Sequence, residues 1–240
     1  MHILLYFFDY LISVFLAITM HELGHVITAL CYKWEFVYLI IGPIKIYKAV
    51  DGLKLCFEKR MALWGGISHI YPKKVEEKTV VEYSNVFIMG PVFSILSGIV
   101  FAALYYVSHA LVFMMCAAMS FGIGVALLLP IRRRIGGVYL DGYRYYRIRK
   151  RGLESNDEIA ILEIWSLIYQ NPKISYKELV KIVDSRPLSS DYIWHFVLHY
   201  IIFEHIKKTG DAEAVDEETE KIKGLLKKIP DKMANAYSFD

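Results

Sequence analysis

Long stretches without charge constrain this chain more than any other feature. Residues 85–130 contain no Lys, Arg, Asp or Glu, and between His2 and Tyr32 the only charged residues are Asp9 and Glu22. About 20 consecutive apolar residues are enough to cross the hydrocarbon core of a bilayer. The sequence therefore predicts three membrane-spanning helices, at Leu4–Tyr32, Val86–Val107 and Leu111–Leu129.

The rest of the chain has a different character. The 240 residues are 55% hydrophobic and 22% charged, a mixture that suggests membrane segments joined to a soluble portion. We expect a mainly α, polytopic membrane protein with about three core transmembrane helices, a small membrane-associated β-hairpin and a helical cytoplasmic tail. The predicted domains are a membrane-embedded core at 1–150, which includes a cytoplasmic-side loop at 33–84, and a helical cytoplasmic domain at 151–240.

The loop after the first span carries a strand pattern. Apolar and polar residues alternate over residues 43–60 around Asp51-Gly52, which predicts a β-hairpin. The preceding residues 36–42 are too short to span as a helix and are either another strand or a membrane-dipping segment. Residues 65–82 are polar, and we expect them to be irregular.

The tail shows amphipathic helices with recognisable ends. We predict a helix from about Asp157 to Gln170 capped by Asn156, one that starts at a capping box of Ser175 and Glu178, one from the cap Ser190 to Lys208 that ends at Gly210, and a last one from about Ala212 to Lys228.

Basic residues predict the orientation of the chain in the cell membrane. Arg132, Arg133 and Arg134 follow the third span directly, and positive charge favours the cytoplasmic side. The C-terminus is therefore expected in the cytoplasm. The net charge of +3 is too small to argue for nucleic acid, and the three cysteines have no paired spacing that would suggest disulfides or a zinc knuckle.

The first span contains the motif HExxH. His21 and His25 are four residues apart, so on a helix both imidazoles project from one face and can hold one Zn²⁺. Glu22 lies beside them and can accept a proton from water. The motif arises by chance in about one chain in a hundred of this length, but here it lies in an apolar segment, where ionisable groups are costly and tend to be functional. A third zinc ligand is needed, and Asp141 is the best candidate. The alternative is that the histidines have only a structural role and pack between helices.

Three motifs in separate membrane segments resemble one family. They are His21-Glu22-Leu23-Gly24-His25, then Gly90-Pro91, and then Leu140-Asp141-Gly142, and together they resemble the site-2 protease family of intramembrane zinc metalloproteases, in particular its small bacterial members. The resemblance covers about residues 1–150.

That resemblance implies a set of roles. His21, His25 and Asp141 would bind zinc, Glu22 would be the general base, and Gly90, Pro91 and Ser94 would contribute to substrate binding. The reaction would be hydrolysis of a peptide bond of a membrane-spanning protein or hydrophobic peptide, in or near the bilayer. A β-element near the active site also fits the family, and we expect the exposed edge of the hairpin at 44–55 to pair with the unwound substrate.

The chain departs from the family at several positions. The family usually has Asn where this chain has Ser94 and Leu127, and the link from Pro130 to Asp141 is longer than usual. The longer link resembles small bacterial members of the family, whereas the missing asparagines leave open which groups hold the substrate. They are also the only support for the alternative of a catalytically inactive relative that binds and retains a membrane protein. A metal transporter would need more ligands along several spans.

A second histidine pair lies in the tail. His195 and His199 are also four residues apart, but they lack the glutamate and belong to an amphipathic soluble helix, so we expect ordinary packing. The expected partners are a membrane protein or hydrophobic peptide as substrate and the lipid bilayer, with no nucleic acid. A cytoplasmic partner could bind through residues 151–240.

Overall fold

The structure is a computed structural model that describes residues 2–132, 134–135 and 138–229. It is 68% helical, which confirms the mainly α class. The helices are α1 (His2–Cys31), α2 (Glu77–Ser108), α3 (Leu111–Leu128), α4 (Asp141–Lys150), α5 (Leu153–Gln170), α6 (Tyr176–Asp184), α7 (Tyr192–Thr209) and α8 (Ala212–Leu226). The strands are β1 (Glu35–Ile41), β2 (Ile44–Ala49), β3 (Gly52–Phe57), β4 (Ile67–Tyr71), β5 (Arg134–Ile135) and β6 (Val138–Tyr139).

The first three helices are the ones that could cross a membrane. Each is long and apolar enough to span by length and composition, which confirms the three predicted spans. At 1.5 Å per residue the 32 residues of α2 extend about 48 Å, well beyond the ~30 Å hydrocarbon core. The helix begins at Glu77, nine residues before the predicted start at Val86. The prediction counted only the uncharged residues, whereas the polar first turns of the helix can extend out of the apolar layer.

The four longer strands form one antiparallel sheet in the order β3-β2-β1-β4. This confirms the hairpin and decides that residues 36–41 are a strand. Ala49 pairs with Gly52, so Val50 and Asp51 form the turn, one position earlier than Asp51-Gly52. Gly52 has φ +122°, a conformation that glycine adopts without steric cost.

One expectation about this region is narrowed, and another was wrong. Strand β2 pairs on both sides, with β1 and with β3, so the predicted hairpin edge at 44–55 is exposed only along β3. Residues 65–82 are not irregular, because β4 and the start of α2 fall within them. A five-residue strand such as β4 is stabilised by its pairing with β1, about 30 residues away, and a local pattern cannot reveal that partner.

The tail helices were predicted well except at two starts. Ser175 and Glu178 form the predicted capping box, and Gly210 ends α7 with φ +80°. The predicted cap Asn156 is wrong, because it lies inside α5 and donates its side-chain amide to the carbonyl oxygen of Pro187 at 2.9 Å. The predicted cap Ser190 is also wrong, because the side chain of Asp191 caps α7 instead and accepts a hydrogen bond from the backbone N–H of Ile193.

The described residues fall into two compact units. The membrane unit holds residues up to 72, residues 81–134 and residues 139–146, and the helical unit holds residues 73–80, 135–138 and 147 onward. In the membrane unit, Val26 of α1 packs with Leu39 and Ile41 of β1. In the helical unit, the core includes Phe196 of α7 and Ile222 of α8. The domain boundary at residue 150 stays a prediction.

Candidate metal centre in the membrane unit

Helix α1 brings the two histidines of the HExxH motif together. His21 and His25 lie one turn apart on the same face of the helix, and both are buried. Their Nε2 atoms are 3.2 Å apart. Two imidazole nitrogens at that distance point at a common centre.

Asp141, the first residue of α4, completes a triangle with these nitrogens. Its Oδ2 atom lies 3.0 Å from Nε2 of His21 and 3.5 Å from Nε2 of His25. Zinc binds nitrogen and oxygen ligands at about 2.0–2.2 Å in a tetrahedron, so two ligand atoms should lie about 3.3–3.6 Å apart. The three atoms therefore fit three corners of a zinc tetrahedron with small adjustments, and the fourth corner is left for water or substrate.

The environment of Asp141 favours its metal-binding form. Burial on its own raises the pKa of this carboxyl group, but the neighbouring imidazoles of His25 and His21 outweigh it and hold the pKa below its usual range. The carboxylate therefore stays ionised at neutral pH, as a metal ligand must be.

Glu22 is close to the triangle but is not part of it. It is 7% exposed, and one of its carboxylate oxygens lies within 4.8 Å of the nearest nitrogens of both histidines. Across the residues that the structure describes, no hydrogen bond holds this carboxylate. It is therefore placed to accept a proton from a water molecule at the centre.

The backbone of α2 lies directly against the histidines because two glycines face each other. A Cβ on Gly24 would lie 2.8 Å from Cβ of Phe93 and 3.0 Å from Cα of Gly90, and a Cβ on Gly90 would collide with the imidazole of His25. No other residue fits at position 90 without displacing the ligand. Pro91 follows inside the helix, where it lacks an N–H group to donate. The substrate-binding role of Gly90 and Pro91 stays a prediction.

The outer nitrogens of both imidazoles are anchored on α2. Nδ1 of His25 lies 2.7 Å from the carbonyl oxygen of Val86, to which it can only donate a hydrogen. Nδ1 of His21 lies 3.1 Å from Oγ of Ser94, which is fully buried. Such hydrogen bonds fix the ring orientation and leave Nε2 available for a metal.

Gly142 allows Asp141 to reach the centre. A Cβ on Gly142 would collide with the carbonyl oxygens of Leu127 and Leu128 at the end of α3. Leu127, at the position where the family usually has an asparagine, thus contacts Gly142 of α4 through its backbone carbonyl group. In the longer link that precedes Asp141, β5 and β6 form a short two-stranded sheet.

Sequence reasoning missed two neighbours of the centre. Gly66, just before β4, has φ +98°, and a Cβ there would lie 2.8 Å from Oε1 of Glu22. The Gly65-Gly66 pair was the available signal, since such pairs mark backbone that other residues cannot adopt. Arg144 was also missed: its guanidinium carbon lies 3.8 Å from the ring centre of Phe87, which itself packs edge-to-face on His25.

Comparison with known proteins identifies a family. The family model described as peptidase family M50 matches residues 9–237, which extends well beyond the 150 residues covered by the motifs. No curated protein and no solved structure matches the chain.

Proposed function

This chain belongs to peptidase family M50, the site-2 protease family of membrane metalloproteases, and from that premise we propose that it is a zinc endopeptidase that hydrolyses peptide bonds in or near the bilayer. His21, His25 and Asp141 hold the zinc ion, and Glu22 is the general base. The family is zinc-dependent in general.

One observation carries this assignment. Nε2 of His21, Nε2 of His25 and Oδ2 of Asp141 lie 3.0, 3.2 and 3.5 Å from one another, although His21 and Asp141 are 120 residues apart in the chain. These distances support a tetrahedral zinc site with one open position. Helix-packing histidines would need no carboxylate that faces both rings. A transporter would need further ligands along its spans, and α2 and α3 offer no carboxylate between residues 85 and 128.

A bound zinc ion would polarise the scissile carbonyl and make water a stronger nucleophile at neutral pH. Glu22 accepts one proton as the water oxygen bonds to the carbonyl carbon, and it returns that proton to the amine nitrogen as the C–N bond breaks. Its carboxylate can do so because no hydrogen bond from the described residues occupies it. Atoms balance: one water is consumed, and one carboxyl and one amino terminus appear.

The substrate strand is proposed to pair with β4. A helical substrate must unwind before its carbonyl can react, and an unwound segment can add to an exposed sheet edge. Of the two edges of the sheet, β4 begins directly after Gly66, whose backbone lies against Glu22. This proximity to Glu22 favours β4 as the pairing edge over the hairpin edge that the sequence suggested.

The proposed setting is the cell membrane, with the C-terminus in the cytoplasm. Arg132 and the basic residues of α4 follow the third span, and they favour that orientation. The substrate is a membrane protein or a hydrophobic peptide, and the helical unit offers a surface for a cytoplasmic partner.

The test is Glu22→Gln, with Glu220→Gln as the matched control. Glu220 is an exposed residue of α8, and its ion-pair partner among the described residues is Lys223. Membranes that contain each protein are incubated, and the membrane peptides that appear are identified by mass spectrometry. Glu22→Gln should lower the rate of product formation by about 10²–10⁴-fold, the usual contribution of a general base, while zinc content measured on the purified protein stays normal. Glu220→Gln should change neither quantity.

Persistent cleavage by Glu22→Gln would show that Glu22 is not the base. If neither the wild type nor the control produces peptides, but the Glu22→Gln protein and the wild type both retain the same membrane protein, the inactive relative is the better description.

A further inference from the structure

Ser94 occupies an unusual position for a residue expected to touch substrate. Its side chain is fully buried in α2, and its Oγ atom lies 3.1 Å from Nδ1 of His21. No other hydrogen bond of the Ser94 side chain occurs in the part of the chain that the structure describes. The hydroxyl thus faces a proposed metal ligand.

This contact decides which nitrogen of His21 is free to bind metal. Nε2 of His21 faces Asp141 and His25, so in the neutral imidazole that binds a metal through Nε2 the hydrogen sits on Nδ1. That N–H donates to Oγ of Ser94. A serine oxygen can accept this bond whatever the direction of its own hydrogen, since it has two lone pairs.

The two histidines differ in how they are anchored. His25 donates to a backbone carbonyl, that of Val86, which no side-chain substitution removes. His21 depends on a side chain for the same bond. Ser94 is therefore the one anchor of the two that a point substitution can delete without altering the backbone.

We propose that Ser94 is a positioning residue for His21: its hydroxyl oxygen accepts the Nδ1–H bond and holds Nε2 of His21 toward Asp141 and His25. This inference rests on the proposed zinc site. It also gives a role to Ser94 at a position where the family usually has asparagine, because the short serine side chain reaches the imidazole of His21. In this role the hydroxyl serves the ligand and not the substrate strand.

The test compares Ser94→Ala with Ser97→Ala in the purified full-length protein. Ser97 lies one turn further along α2, and its hydroxyl donates to the carbonyl oxygen of Ser94 at 2.9 Å. Zn²⁺ affinity is measured by competition with a chelating dye. Groups that hydrogen-bond to a metal ligand contribute about 10–100-fold to metal affinity. Ser94→Ala should therefore weaken zinc binding by that factor, and Ser97→Ala should not.

A second readout separates positioning from general damage to the fold. Ser94→Ala should shift the visible absorption bands of Co²⁺ bound in place of zinc, because the ring of His21 is no longer held in one orientation. Ser94→Thr, which keeps the hydroxyl, should restore both the Co²⁺ spectrum and the zinc affinity. The thermal unfolding temperature of the metal-free protein should be the same for Ser94→Ala and Ser97→Ala.

Two negative results are distinguishable. Wild-type zinc affinity and an unchanged Co²⁺ spectrum in Ser94→Ala would overturn the role of Ser94 and leave the proposed function intact. A wild-type protein that binds neither Zn²⁺ nor Co²⁺ would overturn the proposed function, and the role of Ser94 with it.

Discussion

Two helices of this protein carry a pair of histidines four residues apart, and only one pair converges. In α1 both imidazoles turn Nε2 toward the same carboxylate oxygen of Asp141. In α7, His199 bonds through Nδ1 to Glu218 at 2.5 Å, whereas Nε2 of His195 is buried without a hydrogen-bond partner among the described residues. Each pair has a carboxylate from a distant segment, but only Asp141 faces both rings.

Helical spacing is therefore necessary but not sufficient for a metal site of this kind. Spacing puts two rings on one face, whereas a site needs the rest of the fold to aim them. Around α1 that is done by the close approach of Gly24 and Gly90 and by the anchors on α2. Glu218 of α8 is instead shared between His199 and the hydroxyl of Tyr176, an arrangement that satisfies a buried charge.

The largest expected effect comes from changing Asp141 to an amide, with the same change at Glu218 as the control. Asp141→Asn should weaken zinc binding by more than about 100-fold, since even groups behind the ligands are worth about 10–100-fold. Glu218→Gln should leave the zinc content of the purified protein unchanged. Equal losses of zinc from both substitutions would contradict the distinction between the two histidine pairs, because the pair in α7 would then also hold metal.

The second largest effect is expected on the rate of cleavage, from the loop residues Gly65 and Gly66, which lie beside each other and form a matched pair. Gly66→Ala forces a side chain into a left-handed conformation at φ +98° and into contact with Glu22 and Ile18, whereas a Cβ on Gly65 meets nothing within 4 Å. Displacement of a catalytic group by about 1 Å can cost about 100-fold in rate. Gly66→Ala should therefore slow peptide release from membranes by up to that factor, and Gly65→Ala should not. Similar rates for both variants would mean that the loop does not position Glu22.

The contact between α1 and α2 is expected to give the smallest effect. Gly90→Ala inserts a methyl group where the imidazole of His25 lies, and overpacking of this kind costs about 1–3 kcal/mol. Gly122→Ala, in α3, adds a methyl group to open space. Thermal unfolding of the zinc-loaded protein should occur at lower temperature for Gly90→Ala and not for Gly122→Ala. A stable Gly90→Ala protein with normal zinc content would show that the helices do not need this approach.

Local pattern was enough to predict the features that depend on neighbouring residues. The common face of His21 and His25 follows from the helical period, the three spans follow from the absence of charge, and the start of α6 follows from Ser175 and Glu178. Each of these features depends only on residues within about one or two helical turns or within one apolar segment.

Features that depend on distant partners were not predictable in the same way. Strand β4 is held by β1, and the role of Gly66 appears only once Glu22 lies beside it. Asp141 was a candidate because it is an acidic residue followed by glycine beyond the third span, but nothing in its local sequence says that it lies 3.0 Å from His21. The cap predicted at Ser190 failed because the neighbouring Asp191 caps α7 instead. The cap predicted at Asn156 failed because α5 starts earlier, directly after Gly152.

X-ray absorption at the zinc edge, on the purified wild-type protein, tests most directly whether separate membrane segments supply one shared ion. We expect one zinc ion per chain with about four nitrogen or oxygen ligands at about 2.0–2.2 Å, two of them imidazoles. The His195→Ala and His199→Ala proteins should give the same spectrum, and His25→Ala should lose it. Sulfur ligands at about 2.3 Å, or a protein that retains no zinc at all, would contradict this result.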